Sequence, residues 1–282
     1  AILKPLLDHI PSDMHSNLTN HTPTTTSAHH GIPTGYFVLA RFAGKDDNTW
    51  LTSIIHDKHP WMTPFIWEMD TVRDPSRHDM LGDVYYHLLQ AASEGRILAI
   101  IGGPNCRTWS ICLHKPDRQG KPGRPLRGRH EPHCWGKPNL YDSENTKIDN
   151  DSTLLLRQLA IYEVAEFFNN KGTQIPFLLE HPAEPADWSY YPTAQECSTI
   201  WKTNVIISFT KRHNAQEHTW SQCMTGHNHL KYTTILVINM PTTRKLARKL
   251  CTHNHQKDGK ANTDDMARWS TGLQQETGNS LT

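Results

Sequence analysis

The chain of 282 residues is long enough to bury a sizeable core, and 36% of its residues are hydrophobic. A formal net charge of +1 excludes a protein that coats nucleic acid through its overall field, so such contacts would need local basic patches. The six cysteines lack paired spacing, and no apolar run approaches the roughly 20 residues of a membrane-spanning helix. With no signal peptide at its start, the sequence favours an intracellular protein with reduced thiols and no membrane segment.

The first half of the chain contains short β-prone runs. Residues 1–34 are rich in Ser, Thr, Asn, His and Pro, which predicts a flexible arm or linker. Strands are predicted at 36–42, 64–70 and, more briefly, 79–84, with helices over 49–56 and 85–94. The apolar run 96–101 predicts a buried strand that meets a Gly-Gly-Pro turn.

The second half continues the alternation. A long basic loop is predicted over 114–150, then a helix over 153–169 and strands at 175–180, 204–209 and 233–239. Strands alternating with helices predict an α/β fold with a mainly parallel sheet and helices on both faces. We expect this domain to span 35–255, with a helical extension over 256–282.

Acids and glycines follow the predicted strands, where ligands bind in open α/β sheets. An acid after the second strand suits a ribose hydroxyl, and one at the third suits an adenine amino group. Each acid alone fits a helix cap or a solvated loop equally well. No phosphate-binding signature is present, so a phosphate-free adenosyl cofactor is compatible. The residues concerned are Gly44, Asp46, Asp47, Glu68, Asp70, Asp83 and Glu180.

Residues 101–106, Ile-Gly-Gly-Pro-Asn-Cys, resemble the catalytic loop of the C5-cytosine DNA methyltransferases. That family has Gly-Gly-Pro-Pro-Cys after an apolar strand. Weaker similarities lie at 42–44, 68–70, 82–84 and 178–182. The segments 124–127, 134–136, 180–182 and 220–234 also resemble a divergent branch of the family found in eukaryotic mobile elements. Together these similarities cover about residues 36–255.

The resemblance implies a Rossmann-like S-adenosylmethionine-dependent methyltransferase fold that acts on DNA. Cys106 would attack C6 of a flipped-out cytosine, and Glu180 would hydrogen-bond the base. Cys106 would need a lowered pKa, which Arg107 or a following helix start could supply. The resemblance also implies a nuclear location in a eukaryote and a place in a larger mobile-element polyprotein. The cofactor-binding residues would be Phe42, Gly44, Glu68, Asp70, Asp83 and Pro104.

The basic loop after Cys106 could clamp phosphates, or it could be a solvated loop with no ligand. Gln222 is the nearest match to the family's Gln-x-Arg-x-Arg segment, which is otherwise missing. The predicted nucleic-acid contacts are Arg107, Arg124, Arg127, Arg129 and Gln222.

Two departures keep alternatives open. Asn105 stands where the family has its second proline, which would loosen the loop, and the first cofactor loop is poor in glycine. A degenerate domain that binds cofactor or nucleic acid without turnover is therefore one alternative, and an RNA methyltransferase is another. An oxidoreductase is disfavoured because no Gly-x-Gly-x-x-Gly occurs.

Cysteines and histidines also cluster on either side of the last predicted strand. The spacing matches no standard zinc finger, and a chain with 19 histidines produces such clusters by chance. No metal is therefore predicted. The alternative is a structural zinc ion held by Cys223, His227, Cys251 and His255.

Overall fold

A computed structural model describes residues 32–41, 66–69, 82–116, 119–170, 172–188, 192–226, 230–247, 249–252, 273 and 276–277. Nearly all of the predicted arm, the predicted helix at 49–56 and most of the C-terminal extension lie outside these residues. None of the helices in the described part of the chain is long and apolar enough to cross a membrane.

The described chain is a mixed α/β structure. Its strands are β1 (Phe37–Arg41), β2 (Ile66–Met69), β3 (Ile97–Gly102), β4 (Phe177–Pro182), β5 (Gln216–Ser221) and β6 (Tyr232–Ile238). Its α-helices are α1 (Gly82–Ser93), α2 (Asp142–Phe167), α3 (Pro185–Trp188) and α4 (Asn204–His213).

The strands form one six-stranded sheet in the order β2-β1-β3-β4-β6-β5. The first four strands pair in parallel, and β6 is antiparallel to both β4 and β5. Only β6 therefore runs against the other five. This reversal brings the start of β6 to the edge where the other strands end.

Alternate residues of each central strand face opposite sides of the sheet, as the period of two requires. Phe37, Leu39, Phe177 and Leu179 share a core cluster with residues of α1, α2 and α4. Val38, Ala40, Leu178 and their neighbours form the second cluster with residues that include Trp220, Met240, Leu246 and Leu273. In the described residues, α1, α2 and α4 thus all contribute to the first cluster. The expectation of helices on both faces of the sheet stays a prediction.

The structure confirms most predicted elements and corrects four. The segment 204–209, predicted as a strand, belongs to α4. Thr203 caps this helix by accepting a hydrogen bond from the Ile206 backbone N–H at 3.4 Å. Val205, Ile206, Phe209 and His213 are its buried positions, a helical rather than an alternating spacing.

The other corrections concern element ends and one omission. Residues 142–150, predicted as loop, form the first turns of α2, and Glu144 accepts the Tyr141 backbone N–H at 3.0 Å at its start. Residues 82–84, predicted as strand, open α1. The strand β5 was not predicted at all, because its sequence, Gln-Glu-His-Thr-Trp-Ser, has little apolar character.

Candidate functional site

The sheet has a topological switch point between β1 and β3. The strand order runs from β1 to β2 on one side and from β3 to β4 on the other. Ligands of open α/β sheets bind in the crevice outside the carboxyl ends of strands at such a point. The loop that carries Cys106 leaves β3 at this position, which makes the edge the candidate site.

The turn after β3 is pressed against the end of β1. The Gly103 backbone N–H donates to the Arg41 carbonyl at 3.2 Å. A Cβ on Gly102 would lie 2.6 Å from the Arg41 carbonyl oxygen and 2.9 Å from Oε1 of Gln158. Only glycine fits at position 102, so Gly102 sets how closely the turn approaches the end of β1.

Asn105 supports the loop in place of the expected proline. Its side-chain Oδ1 accepts the Arg107 backbone N–H at 3.2 Å, which holds the first residue of a 3₁₀ turn over Arg107–Trp109. The Cys106 carbonyl accepts the Trp109 N–H at 2.9 Å within the same turn. The expectation that Asn105 loosens the loop is therefore offset by a local hydrogen bond of the Asx type.

A carboxylate on α2 braces the same turn. Asp151 is 1% exposed and accepts the Thr108 backbone N–H at 3.1 Å and the Thr108 hydroxyl at 2.7 Å. Its other oxygen lies 3.1 Å from Nε of Arg107, which is half exposed. Burial raises the pKa of Asp151 above its ordinary value, against the lowering by these partners. The sequence analysis did not single out Asp151, which lies between the predicted loop over 114–150 and the predicted helix over 153–169.

Arg127 has a structural position rather than the predicted contact with nucleic acid. It is 1% exposed, and its guanidinium donates to the Thr108 hydroxyl and to the carbonyls of Cys134 and Ile148, each at 3.0 Å. The guanidinium also stacks over the Trp109 ring at 3.9 Å. No surface remains for a phosphate, so Arg127 joins the basic loop to the Cys106 turn.

Two other predicted arginines are also engaged by carboxylates. Arg124 forms two hydrogen bonds with Glu144, at 2.5 and 2.9 Å, and remains half exposed. This pairing lowers the pKa of Glu144 to about 2. Arg129 donates to the buried Glu184 at 2.8 Å. Arg107 and Arg124 are thus the predicted cations with substantial exposed surface near this loop.

Glu180 lies on β4 beside the Cys106 loop, in a buried polar cluster. Lys231, 7% exposed, places Nζ 3.2 Å from Oε1 of Glu180. Gln222 donates to the same oxygen at 3.4 Å and to the Thr233 hydroxyl at 2.7 Å. The reversed β6 explains the meeting, because Lys231 precedes β6 while Gln222 follows β5 and Glu180 lies near the end of β4.

The electrostatics of Cys106 differ from the expectation. Cys106 is partly exposed, yet desolvation by the surrounding protein is the main cause that raises its pKa to about 11, and the charges of Glu180 and Asp151 raise it further. The charge of Lys231 lowers it but does not compensate. The predicted lowering by Arg107 is therefore wrong, because that guanidinium is paired with Asp151 and no long helix begins at the turn. At neutral pH the free protein holds a protonated thiol.

Lys231 is the cationic group of the cluster that sequence reasoning missed. The neighbouring His181 is neutral, because burial lowers its pKa to about 3 and the charge of Lys231 adds to the effect. A single lysine before an unremarkable strand carries no motif. Only its place in the sheet reveals the pairing with Glu180.

Most of the predicted cofactor-binding side chains lie outside the described part of the chain. Phe42, Gly44 and Asp70 lie outside the described residues, and only the backbone of Glu68 is described, within β2. Pro104 is buried in the turn before Cys106. Asp83 is exposed in the first turn of α1, where an acid also stabilises the helix dipole. The predicted adenosyl site is therefore untested.

The structure brings together one pair from the alternative zinc cluster. The thiols of Cys223 and Cys251 lie within hydrogen-bonding reach of each other. His227 and His255 lie outside the described residues. Among the residues that are described, no group of three or more His, Cys, Asp or Glu side chains is arranged to hold a metal.

No protein-family model matches the chain, and no curated protein matches it significantly. Evidence about function therefore comes from the geometry of the site and from the resemblance of residues 101–106 to the catalytic loop of the C5-cytosine DNA methyltransferases.

Proposed function

We propose that the protein is a C5-cytosine DNA methyltransferase-like domain that uses S-adenosylmethionine, with Cys106 as the nucleophile and Glu180 as its partner on the base. The observation that carries the proposal is that β3 and β4 are neighbouring parallel strands, so that Glu180 near the end of β4 and the Cys106 loop after β3 lie at the same edge of the sheet. The two residues lie 74 positions apart by their numbers, and the charge of Glu180 acts on the Cys106 thiol. The mixed α/β sheet and its switch point are compatible with a Rossmann-like methyltransferase fold.

The polar cluster suits the chemistry of this reaction. After losing its proton, the Cys106 sulfur would bond to C6 of the cytosine and so make C5 nucleophilic. Glu180 would hydrogen-bond the base at N3 and the amino group, where charge changes during attack. S-adenosylmethionine supplies an electrophilic methyl group to C5. Loss of the C5 proton then breaks the bond between carbon and sulfur and restores Cys106.

Lys231 would act as a positioning residue in this scheme. Its ammonium holds Glu180 at 3.2 Å and favours the thiolate of Cys106. The cation is buried, so its effect on both groups is weakly screened by solvent. Lys231 thus couples the orientation of the carboxylate to the charge state of the thiol.

The electrostatic environment of Cys106 favours the inactive alternative. The pKa of Cys106 is raised to about 11, whereas reactive cysteines have lowered values. A domain that binds nucleic acid or cofactor without turnover is therefore the second candidate. For an active enzyme, binding of the base must assist loss of the thiol proton.

The test is covalent trapping with duplex DNA that contains 5-fluorocytosine and labelled S-adenosylmethionine. Fluorine at C5 blocks the elimination step, so an active enzyme stays bonded to the DNA through sulfur. We expect a labelled protein–DNA adduct that survives denaturation. The adduct should vanish in Cys106→Ala and persist in Cys112→Ala, which removes an exposed thiol on the same loop.

The same trapping experiment with a Glu180 variant and with RNA separates the candidate functions. Glu180→Gln should slow adduct formation by about 10²–10⁴-fold, the usual range for lost general acid–base assistance. Cofactor binding without any adduct would reject the methyltransferase and support the inactive domain. An adduct on 5-fluorocytosine RNA but not on DNA would transfer the activity to RNA.

A further inference from the structure

The pairing of β3 with β4 ends just before the Cys106 loop. The last partners in this parallel ladder are Gly102 and Leu179. Pro104 follows in the loop and has no backbone N–H, so the ladder cannot continue through it. Backbone pairing between the two strands therefore stops short of both Cys106 and Glu180, and by itself it does not fix the distance between them.

A buried glutamine on α2 bridges the two strands at this point. Nε2 of Gln158 donates to the Leu178 carbonyl at 3.0 Å and to the Gly102 carbonyl at 3.5 Å. The Gln158 side chain is fully buried, and Leu178 precedes Glu180 by two residues. One amide thus joins the end of β3 to the strand that carries Glu180.

The amide of Gln158 is packed directly against Gly102. Its Oε1 would lie 2.9 Å from a Cβ at position 102. This oxygen is buried without a hydrogen-bond partner among the described residues, and an unpaired buried acceptor lowers stability. An apolar side chain would avoid that loss, so stability alone does not explain an amide at this position.

The same face of α2 also holds the far side of the loop. Asp151 accepts the Thr108 backbone N–H at 3.1 Å and the Thr108 hydroxyl at 2.7 Å. Asp151 precedes Gln158 by about two helical turns, a spacing that places both residues on one face of the helix. The helix α2 therefore holds the loop before Cys106, at Gly102, and after it, at Thr108.

We propose that Gln158 is a positioning residue that sets the distance between the Cys106 nucleophile and Glu180. The effect on methyl transfer rests on the proposed function, whereas the spacing is a property of the free protein. Without the amide, the end of β3 would lose its link to β4, and the Cys106 loop would move relative to Glu180. A misplacement of about 1 Å can slow a reaction about 100-fold, so a small shift is sufficient.

The first measurement is the alkylation rate of Cys106 at pH 8 in the full chain without DNA, followed by peptide mass spectrometry. It compares the parent protein with Gln158→Met, Glu180→Gln and the double variant, while Asp151 and Lys231 are unchanged in all four. The Glu180 charge disfavours the thiolate, so Glu180→Gln should raise the rate at least about threefold. In the Gln158→Met background this rise should be at most about half as large, because the loop is no longer held beside position 180.

The second measurement is the rate of adduct formation with saturating 5-fluorocytosine duplex DNA and S-adenosylmethionine. Gln158→Met should slow the adduct by about 10- to 100-fold. The Kd for DNA should stay within about twofold, because Gln158 is fully buried and acts only through the loop. Ile161→Val is the matched control, since it removes one methyl group from a buried position on the same helix and should leave both quantities within about twofold.

A second variant guards against a failure of Gln158→Met to fold. Gln158→Asn keeps the amide but is one methylene shorter, so it cannot reach both carbonyls. It should change the alkylation and adduct rates in the same direction. Far-ultraviolet circular dichroism and the urea midpoint report whether each variant is folded.

Two kinds of result would overturn the proposal. One is a Glu180→Gln effect on alkylation that is equal in both backgrounds or absent in the parent protein. The other is equal slowing of adduct formation by Gln158→Met and Ile161→Val, which would make Gln158 a structural residue only. If the parent protein forms no adduct, the proposed methyltransferase fails, while the alkylation comparison still decides whether Gln158 sets the spacing.

Discussion

The buried pair of Lys231 and Glu180 allows a quantitative test by the substitution Lys231→Met. The charged atoms lie 3.2 Å apart, and each side chain is 8% exposed. At an effective dielectric constant of about 20, their attraction is about 5 kcal/mol. Much of this offsets the cost of burying both charges, so the net effect is smaller.

Removing only the lysine leaves the Glu180 carboxylate buried without its cation. Removing one partner of a buried ion pair lowers the free energy of unfolding by about 3–5 kcal/mol. Gln222 still donates to Glu180, so we expect the lower end, about 3 kcal/mol. The double variant Glu180→Gln with Lys231→Met removes both charges and should lose only about 1 kcal/mol.

The assay is urea unfolding followed by tryptophan fluorescence, with the free energy of unfolding extrapolated to water. Lys245→Met is the control, because Lys245 pairs with Glu276 at 3.5 Å but is 62% exposed. It should cost at most about 1 kcal/mol. The reasoning is refuted if Lys231→Met costs no more than the control, or if the double variant loses the sum of its single variants.

Four further predictions concern Cys106 and the residues that support its turn. The alkylation rate of Cys106, measured by peptide mass spectrometry, should rise about tenfold per pH unit through pH 10, because the thiolate is the reactive form and the pKa is about 11. A rate that reaches its plateau by pH 9 would contradict this. Since burial raises the folded pKa, the stability linked to this thiol is intact below about pH 8.5 and is lost as pH rises through 11. Asp151→Asn should lower the free energy of unfolding by about 1–3 kcal/mol, because it removes the ion pair with Arg107 and one of the two acceptor oxygens. The control is Asp149→Asn, an exposed position on the same helix, which should change the free energy of unfolding little. Gly102→Ala should lower the free energy of unfolding in urea by about 1–3 kcal/mol, because the added Cβ would clash with the Arg41 backbone. The control Gly82→Ala should leave this free energy unchanged, because a Cβ there meets no atom within 4 Å. Equal effects of the two substitutions would reject the close approach of Gly102 to β1.

The sequence by itself determined the local elements with strong apolar patterns. The apolar run into Gly102 predicts a buried strand, and β1, β4 and β6 carry similar apolar runs. The Gly-Gly-Pro turn and its cysteine were placed correctly for the same reason, because glycine and proline constrain the backbone locally. These features depend on neighbours in the chain, so a single sequence is sufficient.

Where local pattern was ambiguous, the prediction failed. The run 204–209 contains β-branched residues, yet its cap at Thr203 and its packing in the core make it a helix. The polar sequence of β5 gives no strand signal, but pairing with β6 on the sheet edge stabilises it. Tertiary contacts override weak intrinsic preference in both cases.

The composition of the site was decided by the tertiary structure. Cys106 and Glu180 were predicted from their positions at strand ends and from the resemblance of their segments to the methyltransferase family, whereas Lys231 and Asp151 carry no local signal. Lys231 reaches Glu180 because β6 is reversed, and Asp151 reaches the Cys106 turn because α2 begins earlier than its apolar pattern. The charge state of the thiol follows from these long-range partners and from burial, which no spacing of residues along the chain encodes.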